Sequence, residues 1–288
     1  MSRKFVILFC CLNALLGVGL LWFILTPTKA SLRSTSYASS ASVTPEYTET
    51  ELWAKAAAAS TTREAFSYLE QLSADRMVFE TSTELVDGLI QTGIPAYQQW
   101  PYFEALLQFH GSRSEALEDL QTLARLARQT KQALALRDAA FRSYIENFMR
   151  LNPVETFPAF ALIDRLHEEG NHLSATALQA ERFLRENGIV RDAGDEVLIE
   201  RARETVFDTE RIETNRLAAA NILLALNEQP DPKRIREAIG STDSERLKAS
   251  LLRLLATSGL SDSDRDWLED LPLPTPEQEA LVRSILEH

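Results

Sequence analysis

Cysteine is nearly absent from this chain. Its only two, Cys10 and Cys11, fall inside the first apolar run, so nothing beyond them can build a disulfide framework, a thiolate metal site or a cysteine nucleophile. Acidic residues are absent before Glu46. All 42 lie at or beyond that position together with 26 of the 30 basic residues, a net charge of −16 for that part of the chain. Such a surface repels nucleic-acid phosphates and anionic lipid headgroups, so no nucleic-acid role is expected.

Histidine is also scarce, and its spacing excludes the obvious metal chemistry. His167 and His172 are five apart with Gly170 between them, whereas a zinc-peptidase pair sits four apart on one helical face. They are expected at a solvent-exposed helix end. His110 has no ligand partner near it in the chain, and His288 is terminal. Asp262 to Asp266 begins like a calcium-binding loop, but Trp267 and Leu273 stand where that loop needs Gly and Glu. This acidic run suits the first turn of a helix instead, where it complements the macrodipole. No phosphate-binding glycine loop and no Gly-x-Ser-x-Gly occur, and the acid pairs Asp195–Glu196 and Glu168–Glu169 are adjacent and so diverge on a helix. No metal, no cofactor and no enzymatic activity are expected. Alternation of period two is missing beyond four residues, Met77–Phe79 and Ile189–Val190 being too short for a sheet, and the class is therefore all-α.

One long hydrophobic run is present. Residues 5–25 carry no charge, and as a helix they would span roughly 30 Å, the thickness of a bilayer core. The run exceeds the apolar core of a secretory signal, which favours a retained anchor behind the four-residue tail 1–4. The short tail is expected to stay inside and the remainder to be exported, to the periplasm or the cell exterior. Thr28–Ala30 is also an acceptable cleavage motif, and cutting there would release a secreted protein. Residues 26–48 follow as a tether, since 12 of the 25 residues from Thr26 to Thr50 are Ser or Thr. Its mean reach is roughly 25 to 30 Å.

Helix signals then recur to the end. Thr48/Glu51, Thr61/Glu64, Thr81/Glu84, Ser112/Glu115, Thr242/Glu245 and Thr275/Gln278 have the spacing of capping boxes. Gly93, Gly111, Gly170, Gly188, Gly240 and Gly259 stand where periodic segments run out, and Asp231–Pro232 and Thr275–Pro276 place proline at a first helical position. The spacing predicts helices near 49–59, 62–73, 82–92, 95–110, 113–128, 131–150, 155–169, 172–187, 193–208, 210–227, 232–239, 243–257, 263–270 and 276–286. The domain 49–288 thus reads as serial helical hairpins, forming either an α-solenoid of the HEAT or TPR kind or an irregular bundle.

An internal match favours the solenoid: Arg216 to Leu226 aligns with Arg246 to Ala256 at an interval of 30 residues. With the short helix from Pro232 and the turn at Ser241 to Asp243, residues 215–259 resemble the helix pair of HEAT-like repeats. The resemblance implies a stacked-helix shape and binding to other proteins. The expected function is a membrane-anchored, exported scaffold or adaptor for a protein partner, one with a basic patch to suit the acidic domain. An unrecognised helical envelope enzyme is the contrasting expectation. The aromatic stretch from Tyr97 to Phe103, with Phe109, Phe157 and Phe160, divides between core and groove. Trp100 and Tyr102 are the candidate partner-binding residues.

Overall fold

A computed structural model describes residues 47–73, 76–92, 97–191, 196–273 and 275–287. The expected membrane helix 5–25 and all but the last two residues of the tether lie outside them. Among the described residues every regular element is helical, and none is long and apolar enough to cross a membrane. The chain divides after Glu46, and the unit from Tyr47 onward holds all of these elements.

Among its described residues are fourteen α-helices: α1 (Glu49–Ala58), α2 (Thr62–Leu69), α3 (Arg76–Thr92), α4 (Trp100–Arg113), α5 (Gln121–Arg128), α6 (Leu134–Leu151), α7 (Phe157–Glu168), α8 (His172–Glu186), α9 (Glu196–Phe207), α10 (Glu213–Ala225), α11 (Pro232–Gly240), α12 (Glu245–Thr257), α13 (Asp262–Glu269) and α14 (Pro276–Leu286). Short 3-10 turns at Tyr97–Gln99 and Leu117–Leu120 precede α4 and α5.

The starts are set by side chains that satisfy open backbone donors. Thr48 and Glu51 cap each other's backbone at α1, Thr61 accepts from Glu64 N at α2, and Thr275 accepts from Gln278 N at α14. Three expected boxes are displaced. Thr81 lies inside α3, which begins at Arg76 because Met77, Val78 and Phe79 join its first turn. Ser112 sits in the last turn of α4, and Ser244, not Thr242, caps α12. The acidic run after Ser261 is a helix start, with Ser261 and Asp264 forming a reciprocal box. Gly170, Gly188 and Gly259 take positive φ just beyond α7, α8 and α12. Gly111 does not stop α4; it lies within that helix.

Each odd-numbered helix packs on the next even-numbered one, so the helices form seven hairpins in series among the described residues. The even-numbered helices also pack on one another in chain order, α2 on α4 and so on to α14. They therefore bury two faces, and their residues form most of the apolar core, for example Phe141, Tyr144 and Phe148 of α6 or Ala219, Ala220 and Leu223 of α10. The internal match is corrected here. Buried positions of α10 and α12 coincide when Glu213 is placed on Glu245, so that Ala219 falls on Leu251 and Leu223 on Leu255. That register is two residues from the sequence match, because helices rich in Leu and Ala match one another in several registers and burial picks one.

Candidate functional site

Two clefts meet along α3. One, of about 330 Å³, lies between α3 and the 3-10 turn leading into α5 and is lined by Arg76, Phe79, Glu80, Thr83, Glu84, Glu118, Asp119 and Thr122. The other, of about 230 Å³, is lined by Arg76, Phe79, Ser112, Arg113, Ser114, Glu115 and Arg150. Arg76 and the largely buried Phe79 line both, so the adjoining clefts make one groove, with Glu80, Glu84, Glu118 and Asp119 on one side and Arg113 and Arg150 against the single carboxylate of Glu115 on the other.

Arg76 is neutralised: its guanidinium lies 3.1 Å from Asp119 and 3.5 Å from Glu80, and it stacks over the Phe79 ring at 4.6 Å. Burial pushes the Asp119 carboxyl up, but hydrogen bonds from the backbone of Glu115 and from Arg76 outweigh it and hold the group below its ordinary value. Arg113 and Arg150 are placed by carbonyl oxygens instead. Arg113 lies over Phe109 at 5.0 Å and donates to Leu72 O at 3.3 Å, while Arg150 donates to Gly111 O at 3.3 Å and Ser114 O at 2.5 Å. Neither has a carboxylate within 4 Å among the described residues, and the same holds in reverse for Glu84 and Glu118.

Behind Phe79 the buried His110 ring stacks at 4.8 Å, with Nδ1 2.9 Å from Ser82 Oγ. The Ser82 hydroxyl donates to Phe79 O, which leaves its oxygen to accept from Nδ1, so the neutral ring carries its proton there. Nε2 is buried and forms no hydrogen bond among the described residues. Burial pulls this imidazole down to about 4. His167 behaves alike. It is buried rather than at an exposed helix end, with Nδ1 2.9 Å from Ser174 Oγ and its titration also lowered to about 4, chiefly by burial. His172 instead faces Thr214 at 3.0 Å, so the two histidines are not brought together. Among the described residues no group of three His, Cys, Asp or Glu side chains stands at metal-binding geometry.

Trp100 and Tyr102 sit in the first turn of α4, half-buried against the main core, and neither lines the groove. Tyr102 packs on Phe103 at 5.4 Å, and burial pushes its hydroxyl up to about 12. Phe109 and Phe160 are core residues, whereas Tyr97 is 88% and Phe157 79% exposed.

The other concentration of charge is an ion cluster on α7 to α9. Fully buried Glu181 lies 3.0 Å from Arg191 and 3.1 Å from Arg201, and both arginines also hold Asp164. Burial raises the Asp164 carboxyl, but its bonds to Arg191 and Arg201 prevail and lower it. The cluster fastens the α8–α9 connection to α7 and α8, and the groove residues stand apart from it. Sequence reading missed the groove because Arg113 and Arg150 are 37 positions apart and only packing of α4 on α6 joins them. In comparisons with protein-family models, curated proteins and solved structures, nothing matches this chain.

Proposed function

We propose that the protein is a membrane-anchored, exported scaffold whose helical domain holds a protein partner near the membrane without turning over a substrate. The observation that carries this reading is the packing pattern, hairpin after hairpin with the even-numbered helices in one stack. Such packing supports reading the domain as an α-solenoid of the HEAT or TPR kind, where each unit leans on its neighbours and the outer surfaces remain open to partners. The groove of opposed charges on α3 supplies a place to bind, and the net charge of −16 beyond Glu46 attracts a partner with a basic patch. Trp100 and Tyr102 serve the core in this reading. The uncharged run at 5–25 is the anchor, and the Ser/Thr-rich stretch gives the domain its radius of search.

The test is crosslinking and pull-down of the full-length chain from native membranes across a salt series, with identification of what is captured. Capture should weaken as salt rises, because exposed charges are screened over about 8 Å at physiological ionic strength. No partner at any salt, together with turnover of a small-molecule or polymer substrate, would sink the scaffold reading. Sequencing the mature N-terminus checks the anchor: a chain beginning at Ser31 replaces the anchored form by a secreted one.

A further inference from the structure

Charges on a folded helix surface usually face solvent or an opposite charge one turn away. In this groove the charges contributed by different elements are unevenly shared: Arg113 of α4 and Arg150 of α6 outnumber Glu115 on one side, while Glu84 of α3 and Glu118 of the 3-10 turn stand on the other. Between them Arg76 is already paired with Glu80 and Asp119. From this juxtaposition we infer that the groove is the seat of the partner, resting on the scaffold reading, and that what it takes is an amphoteric peptide segment. A carboxylate side chain lodges between Arg113 and Arg150, and a lysine or arginine a few residues along the segment lies against Glu84 and Glu118.

Donor chemistry fixes the first half. The Ser112 and Ser114 hydroxyls donate back to Phe109 O and His110 O, so they present lone pairs to the cleft and recognition of an anion falls to the arginines. Arg113 spends one N–H on Leu72 O, and Arg150 spends Nε and Nη2 on Asn147, Gly111 and Ser114 and keeps Nη1. Both guanidinium planes are thus held in place with donors to spare, the preorganised condition for gripping a carboxylate. The second half comes from the neighbouring cleft. A polyanion gripped by the arginines would run past Glu84 and Glu118 on a domain of strongly negative charge, while an alternating segment meets attraction on both sides of Arg76.

The experiment measures fluorescence anisotropy of labelled peptides, each about 12 residues long, a length that crosses a groove of this kind in extended form. One carries a lysine cluster followed by a glutamate cluster, and the controls carry lysine alone or glutamate alone. The full-length protein in detergent should bind the mixed peptide about tenfold more tightly than either control. Arg113→Gln with Arg150→Gln should remove that preference, and Glu84→Lys, at an exposed position, should shift it toward the glutamate peptide. Hydrogen exchange on the unaltered protein keeps the test independent of variant folding, with protection by the mixed peptide expected at 76–84 and 112–119. Equal or tighter binding of the lysine peptide overturns the inference, as does no binding of any peptide or protection elsewhere. If the natural partner is captured equally by the double arginine variant, the scaffold reading stands and this site falls.

Discussion

Arg137 and Arg216 occupy the same place in two hairpins, yet they should respond differently to replacement. Each is the fourth residue of its helix and sends Nε to the penultimate carbonyl of the helix before it, Ala127 O at 2.7 Å and Val206 O at 3.1 Å. Arg137, 2% exposed, also grips both oxygens of Glu169 in the next hairpin, at 2.6 and 2.8 Å. Arg216 has no carboxylate within 4 Å among the described residues, and burial lowers its titration. Arg137→Met therefore leaves a largely buried carboxylate without its cation, held only by Asn171 Nδ2, and should cost about 3 kcal/mol, the scale of a broken buried pair. Arg216→Met removes one hydrogen bond to a carbonyl but also a desolvated charge, and should stay within about 1 kcal/mol of the parent. Urea unfolding of residues 47–288 measures both. The two buried histidines add a pH dependence. Their folded values, about 4, lie below the ordinary 6.5, so between those limits the unfolded chain binds more protons. Stability is full above about 6.5 and falls as pH drops toward 4, and His110→Phe should flatten that slope; a slope unchanged by this substitution would refute the assignment.

At the scale of elements, contacts between hairpins are made by turns as well as by apolar faces. The α7–α8 turn is held from both sides: Arg137 binds Glu169, while Asn215 of α10 donates to Gly170 O and Asn171 O, each at 3.0 Å, and accepts from Ala175 N. The approach of α4 to α6 is set differently. Gly111 lies within α4, and a Cβ added there would come 2.4 Å from Asn147 Nδ2, which is already committed to Ser143 O at 2.7 Å. Alanine is the better helix former by about 1 kcal/mol, so the sign of Gly111→Ala depends on this contact. The expected outcome is net destabilisation, relieved when Asn147→Ala is added. Thermal unfolding of the two single variants and the double variant tests it, and additive effects would show that the close approach does not matter.

For the molecule as a whole, no cysteine lies beyond Cys11, and among the described residues no group of three His, Cys, Asp or Glu side chains stands at metal-binding geometry. Tyr47 begins the compact unit, with the Lys55 ammonium over its ring at 4.3 Å, and the core continues from Leu52 to Ile285. Residues 47–288 alone should therefore fold to a helical circular-dichroism spectrum that chelator does not change. A substantial sheet component, or unfolding on chelation, would contradict this. Because each hairpin leans mainly on its neighbours, that fragment should also lose end hairpins more readily than central ones, as hydrogen exchange resolves.

The sequence by itself determined the helical class and the places of most helices. Caps at Thr48, Thr61, Asp231 and Thr275 and left-handed stops at Gly170, Gly188 and Gly259 act within one turn of chain, where backbone donors and acceptors are satisfied locally. It could not determine that Gly111 is a point of close approach rather than a stop, since the neighbour that crowds that position, Asn147, is on another helix. It left the aromatic stretch divided, and packing alone sorted Phe109 and Phe160 into the core and Tyr97 and Phe157 to the surface. The register of α12 against α10, the burial of His167 and the meeting of Arg113 with Arg150 were likewise decided by tertiary structure. In each case what decides is close packing or desolvation among side chains that chain order does not bring together.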